Sequence, residues 1–158
     1  MKKNVKKITS VATVLLVAAA ISLAACGGDN ADADPTVTPP PDLPGVETSV
    51  DVSLTEFVMG SSAGSVPAGT VTFNVSSDGA IFHNLIVVAT DLAPDGLPVD
   101  GALFAVDEQQ VEVVASTADL DPGDTEELTV DLAAGDYVLI CNIPTHYSAG
   151  MTVAFTVE

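Results

Sequence analysis

The sequence predicts an all-β domain, a sandwich or a barrel, over residues 48–158. Apolar and polar residues alternate in short runs: Val50, Val52 and Leu54; Val71, Phe73 and Val75; Leu128, Val130 and Leu132; Val153, Phe155 and Val157. A period of two puts the apolar residues on one face of a strand. Turn residues separate these runs at Pro67-Ala68-Gly69, Ser77-Asp78-Gly79, Asp121-Pro122-Gly123-Asp124 and Ala134-Gly135-Asp136, where Gly, Pro and Asp break regular structure. About 110 residues are enough for one domain with one core, and short strands at this spacing fit a two-layer or closed sheet.

The chain opens on a different kind of segment. Residues 1–25 carry Lys2, Lys3, Lys6 and Lys7 and then an apolar stretch from Val11 to Ala20. That stretch is short for a spanning helix and is patterned as a secretion signal. It ends in Leu23-Ala24-Ala25-Cys26, which resembles a bacterial lipobox. The resemblance implies cleavage before Cys26 and lipidation of that cysteine, so the protein is expected to be exported and anchored to the outer side of a membrane without spanning it. Residues 26–47 read as a Pro- and Asp-rich linker, too polar to offset its own ordering entropy.

Within the domain, Leu85-Ile86-Val87-Val88 is continuously apolar and suits a buried central strand, and the residues from Val111 to Ala115 form another β-rich run. The stretch 91–106, with Pro94, Gly96, Pro98 and Gly101, reads as a long irregular connection with room for a short helix. Residues 136–141 form a strand in which Tyr137, Leu139 and Cys141 share a face.

The charge distribution excludes one class of partner. All four lysines lie in the signal segment, the chain has no arginine, and all 22 acidic residues follow it. The mature protein therefore has no permanently cationic side chain and no lysine or arginine ion pair. Nucleic acid is excluded as a partner, since its phosphates need Lys or Arg. A redox partner with a basic docking face is compatible with the charge, and so is a saline or acidic habitat.

The chemistry-bearing residues are few. Cys141 loses its only intrachain partner once Cys26 is lipidated, which leaves a buried structural thiol, an intermolecular disulfide or a metal ligand. Its neighbours favour the metal. His146 lies five residues on and Met151 five beyond that, with Pro144 in the turn between, and His83 comes from far upstream beside Asn84. Two imidazoles, a thiolate and a weak axial thioether are the ligand set of an electron-transfer copper centre. Met59 is the reserve axial candidate. The acidic run 119–127 does not follow the EF-hand order of ligands and reads as a polar turn.

On the His83-Asn84 pair, the Gly135-Asp136-Tyr137 approach to Cys141, and the Cys-x4-His-x4-Met run from Cys141 to Met151, the domain resembles the cupredoxins. Its ligand loop is closest to those of auracyanin and sulfocyanin. The resemblance implies a two-sheet Greek-key β-sandwich and one type 1 copper ion held by His83, Cys141, His146 and Met151. It implies that Asn84 ties the two ligand loops together and that Tyr137 is the aromatic residue common four places before the cysteine. It also implies that His146 is an exposed electron port, ringed by a docking surface of Ile143, Pro144, Tyr147 and Ala149. The expected role is electron transport between Cu(I) and Cu(II). A copper chaperone or buffer that uses the same four residues stays open as the alternative. A copper enzyme with further metal centres does not, because no histidine is left to build them.

Overall fold

The structure, a computed structural model, describes residues 47–158. The signal segment, Cys26 and nearly all of the linker lie outside the described residues. Eleven strands follow in chain order: β1 (Thr48–Thr55), β2 (Val58–Ser61), β3 (Ser65–Val66), β4 (Gly69–Ser77), β5 (Ile86–Ala89), β6 (Val99–Asp100), β7 (Ala105–Val106), β8 (Glu112–Ser116), β9 (Thr125–Leu132), β10 (Gly135–Ile140) and β11 (Thr152–Val157). Two 3-10 turns, Glu108–Gln110 and Tyr147–Ala149, are the helical content of the described residues. None of their helical segments is long and apolar enough to cross a membrane.

The strands form an all-β cupredoxin-like sandwich. One sheet has the order β2-β1-β4-β9 and the other β3-β11-β10-β5-β8. Most neighbours are antiparallel, while β1 pairs with β4, and β3 with β11, in parallel. The alternating residues of β1 and β4 turn inward as their pattern requires: Val50, Val52, Leu54, Val71, Phe73 and Val75 are all buried. They meet Val87, Tyr137, Leu139, Cys141 and Phe155 from the facing sheet. Phe73 and Phe155 close edge to face across this interior, their centroids 5.4 Å apart.

The centre of the second sheet, at β5 and the C-terminal half of β10, is buried on both faces, and this explains the apolar run there. Ile86, Val88, Val138 and Ile140 point away from the sandwich interior into a second cluster with Leu97, Val106 and Tyr147. That cluster is roofed by the connection between β5 and β8. The segment 91–106 holds no helix; it makes the small hairpin β6–β7, and a 3-10 turn follows at Glu108–Gln110. Within the run 119–127, residues 121–124 make a polar turn in which the Asp124 N–H donates to the Asp121 carbonyl at 2.9 Å, with Gly123 at φ 89°, and β9 begins at Thr125.

Candidate metal centre

Three of the four sequence-predicted ligands converge at one end of the sandwich. Cys141 follows β10 directly, so its backbone is set by the most enclosed strand of the sheet. His83 precedes β5 and is fixed by a bridge to Leu120, its N–H donating to the Leu120 carbonyl at 3.1 Å and its carbonyl accepting from the Leu120 N–H at 2.7 Å. His146 arrives on the loop between β10 and β11. Cys141 Sγ lies 3.4 Å from His146 Nδ1 and 3.7 Å from His83 Nδ1. The ligand atoms of the three residues all fall within 4.8 Å of one another, and all three side chains are buried.

These separations are those of donors ringing a single ion, with bonds of about 2.0 Å to imidazole and 2.3 Å to thiolate. Both histidines present Nδ1 to the sulfur, and a metal held on Nδ1 would leave the hydrogen of each neutral ring on Nε2. The protonation chemistry agrees. Burial holds both imidazoles below the ordinary histidine range, although the Glu56 carboxylate partly opposes this at each. Burial pushes the Cys141 thiol up, against the N–H groups of Asn84 and Ile143 that aim at the sulfur. Two neutral imidazoles beside a buried sulfur are ready to receive a cation that removes the thiol proton. Soft sulfur and imidazole together favour copper over harder metals.

Met151 is fully buried at the far end of the loop. Its carbonyl accepts from the Cys141 N–H and its own N–H donates to the His146 carbonyl, both at 3.1 Å, so the three loop residues share one backbone network. Met59 packs in the sandwich core. Asn84 reaches across to the ligand loop, its side-chain oxygen accepting from the Asn142 N–H at 2.8 Å while its amide donates to Asp119 at 3.0 Å. The loop itself is under backbone strain. Thr145 lies at φ 75°, a conformation that β-branched residues rarely adopt, and Gly150 at φ 103° turns the chain back into β11.

The surface around the site differs from the expected rim. Pro144 and Ala149 are exposed, but Ile143 and Tyr147 are buried. Ile143 packs in the sandwich core. Tyr147 turns inward because its hydroxyl has partners in the connection between β5 and β8, donating to the Pro94 carbonyl at 2.8 Å and accepting from the Leu97 N–H at 3.0 Å. His146 is also no open port: only 3% of it is accessible, and the ring of Phe57 stands edge-on to it at 5.7 Å.

The exposed apolar surface comes from other loops. Of the five phenylalanines, Phe57, Phe82 and Phe104 are about half exposed. Phe57 occupies the two-residue turn between β1 and β2 at φ 60°; Phe82 precedes His83; Phe104, at φ 54°, accepts the Ser148 hydroxyl at its carbonyl. Sequence reasoning missed Phe57, although the alternation of β1 breaks for two residues at Glu56-Phe57, which is a hairpin signal. It also missed Asn142. That side chain bonds both the N–H and the carbonyl of Val106, at 2.7 and 3.1 Å, and bonds Glu108, riveting the ligand loop to β7.

The family of copper binding proteins that includes plastocyanin and azurin matches residues 46–158. The chain belongs to that family. None of the curated proteins matches this cupredoxin in sequence, but solved structures match it in fold. Dithionite-reduced auracyanin from the photosynthetic bacterium Roseiflexus castenholzii is 26% identical, with a TM-score of 0.53, over 70% of this chain and 96% of that one. Auracyanin B is 25% identical, with a TM-score of 0.52, over 70% of this chain and 88% of that one. A rusticyanin from Thiobacillus ferrooxidans, 17% identical with a TM-score of 0.51 over 70% of this chain and 77% of that one, shares the fold. With this family and this donor set, the triad of His83, Cys141 and His146 is consistent with a single type 1 copper site.

Proposed function

We propose that the protein is a lipid-anchored one-electron carrier with one type 1 copper ion. The observation that carries this reading is the buried triad of two Nδ1 atoms and one sulfur. A copper ion held there supplies the redox chemistry by passing between Cu(I) and Cu(II). The residues do the rest. Cys141 and the two histidines are buried, and the backbone of each is hydrogen-bonded to a neighbouring strand or loop residue, so the donors have little freedom to move when the charge changes. Met151 would supply the fourth ligand, a thioether, a role supported by its full burial and by its backbone bond to His146.

His146 is the electron exit, acting through the edge of Phe57 rather than by open contact with solvent. Phe57, Phe82 and Phe104, with Pro144 and Ala149, form the docking surface, and the surrounding acidic chain favours a redox partner whose rim is basic. Such contacts are small and brief. Lipid on Cys26 would keep the domain at the outer side of a membrane, in a periplasm or at the cell surface, with residues 27–47 as its tether.

A carrier differs from a copper chaperone in keeping its metal. Copper-loaded protein should pass through many rounds of ascorbate and oxidant with metal content unchanged, in the presence of a competing Cu(I) chelator of moderate affinity. Loss of copper at the first reduction would favour the chaperone. In cells of a lipoprotein-processing bacterium, the full chain should fractionate with membranes and Cys26→Ser should not; equal partition would remove the anchor from the proposal.

A further inference from the structure

The buried ligand His83 has one polar atom that the metal does not use and the protein does not satisfy. Its Nε2 is sealed from solvent and has no hydrogen-bond partner among the described residues. With a metal held on Nδ1, Nε2 carries the hydrogen. A buried, unpaired N–H of this kind is costly and calls for an explanation.

The ring faces Gly79 and Glu56. A Cβ placed on Gly79 would lie 2.8 Å from His83 Nε2 and 2.8 Å from Glu56 Oε1, so the bare glycine is what lets the carboxylate and the ring approach the same point. Glu56 is held there. It sits in the two-residue turn between β1 and β2, and its Oε1 accepts from the Ala80 N–H, next to that glycine. The other residue of the turn is Phe57, which stands against His146. One turn thus addresses both imidazoles, with a charge on one side and an apolar ring on the other.

We propose that Glu56 is a positioning residue for the metal centre: its carboxylate stands beside the Nε2 edge of His83 at Gly79, beyond hydrogen-bond reach, and its charge favours both the tautomer that offers Nδ1 and the more positive state of the bound metal. A carboxylate behind a ligating imidazole fixes the ring and raises its basicity. The negative charge stabilises Cu(II) more than Cu(I), and so lowers the reduction potential. This inference rests on the copper reading above, but can fail separately from it.

Glu56→Gln is the test. The glutamine carbonyl still accepts from the Ala80 N–H, so the turn stays docked while the charge is removed. Copper titration against competing chelators should show Cu(II) affinity reduced by about tenfold. Cu(I) affinity should change less, and the reduction potential should rise. The rise should shrink as salt is added, because Glu56 is exposed. Glu126→Gln, on β9 two strands away from β1 in the same sheet, removes the same charge and should shift neither quantity. Gly79→Ala, which wedges a methyl between carboxylate and ring, should copy Glu56→Gln and carries the test if that variant does not fold. Unchanged potential and Cu(II) affinity in Glu56→Gln, or an equal shift in Glu126→Gln, would overturn the proposal while leaving the copper site intact. A wild-type protein that binds no copper would instead overturn the reading beneath it.

Discussion

The two arms of the metal site are built in opposite ways. His83 is held by the sandwich. Its backbone is bonded on both sides to Leu120 and its ring is fully enclosed. The other donors sit on one loop, which closes on itself through the bonds from Cys141 to Met151 and from Met151 to His146, and passes through the strained Thr145. That loop is clamped from outside the sandwich. Tyr147 binds Pro94 and Leu97, Asn142 binds Val106, and Ser148 binds Phe104. One arm therefore takes its geometry from sheet pairing, and the other from an irregular segment folded over the far face of the same sheet. Apart from the donor atoms themselves, the bond from the Asn142 N–H to the Asn84 side chain joins them among the described residues.

The comparison is broken most severely by removing each imidazole in turn. Both His83→Gly and His146→Gly should lose the thiolate-to-copper colour. Added imidazole should restore it in His146→Gly, where the half-exposed Phe57 packs against the ring that is removed, and should fail in His83→Gly, whose ring is fully enclosed. Equal rescue of both, followed by visible absorption, would show that the two arms are equally open.

The clamp is tested next. Tyr147→Phe leaves the buried Leu97 N–H without its partner and should cost about 1–3 kcal/mol in urea unfolding. Because the clamp serves the loop, copper affinity should fall with stability. Unchanged affinity at reduced stability would assign Tyr147 to the second apolar cluster alone.

Tyr137 offers a smaller effect at the other end of β10. Its hydroxyl donates to the Ala133 carbonyl at 2.9 Å, and burial, with the nearby Glu112 charge, raises its pKa above the ordinary 10.0. The fold favours the neutral phenol. Its contribution is therefore whole below pH 10.0 and is lost as pH rises through the raised folded value. Tyr137→Phe should cost about 1 kcal/mol at neutral pH and should flatten the alkaline limb of the stability profile. The colour of the site, at the opposite end of the strand, should not change.

The smallest effect is that of salt. Asp51, Glu127 and Asp131 lie on the outer face of the β1, β4 and β9 sheet, and no cation among the described side chains offsets them. Moderate salt should raise the melting temperature at pH 7 by screening this repulsion, with copper affinity nearly constant. A melting temperature that falls or stays fixed would contradict the prediction.

Much of this was legible in the chain. The alternating runs became β1, β4, β9 and β11, and the continuous Leu85–Val88 run led into β5, which is buried on both faces. Cys141, His146 and His83 could be grouped because exported proteins seldom leave a cysteine unpaired and because donor chemistry is specific. The remainder depends on contacts distant in sequence. Strands of two residues, such as β3 and β6, are too short to show a period. Tyr147 looked like a rim residue because its partners, Pro94 and Leu97, lie some fifty residues upstream. The Glu56-Phe57 turn was hidden because phenylalanine is an unusual choice for positive φ; tertiary contact with His146, not turn propensity, accounts for its place.

The central claim is that Cys141 and the two histidines hold one redox-active copper. A visible spectrum of the domain spanning residues 48–158, with one equivalent of Cu(II) and a Cys141→Ser control, tests it most directly. The account predicts an intense blue or green thiolate-to-copper band that ascorbate bleaches and an oxidant restores, and that the control lacks. A colourless protein indistinguishable from the control would contradict it, and would leave the triad as a buried cluster with no copper chemistry.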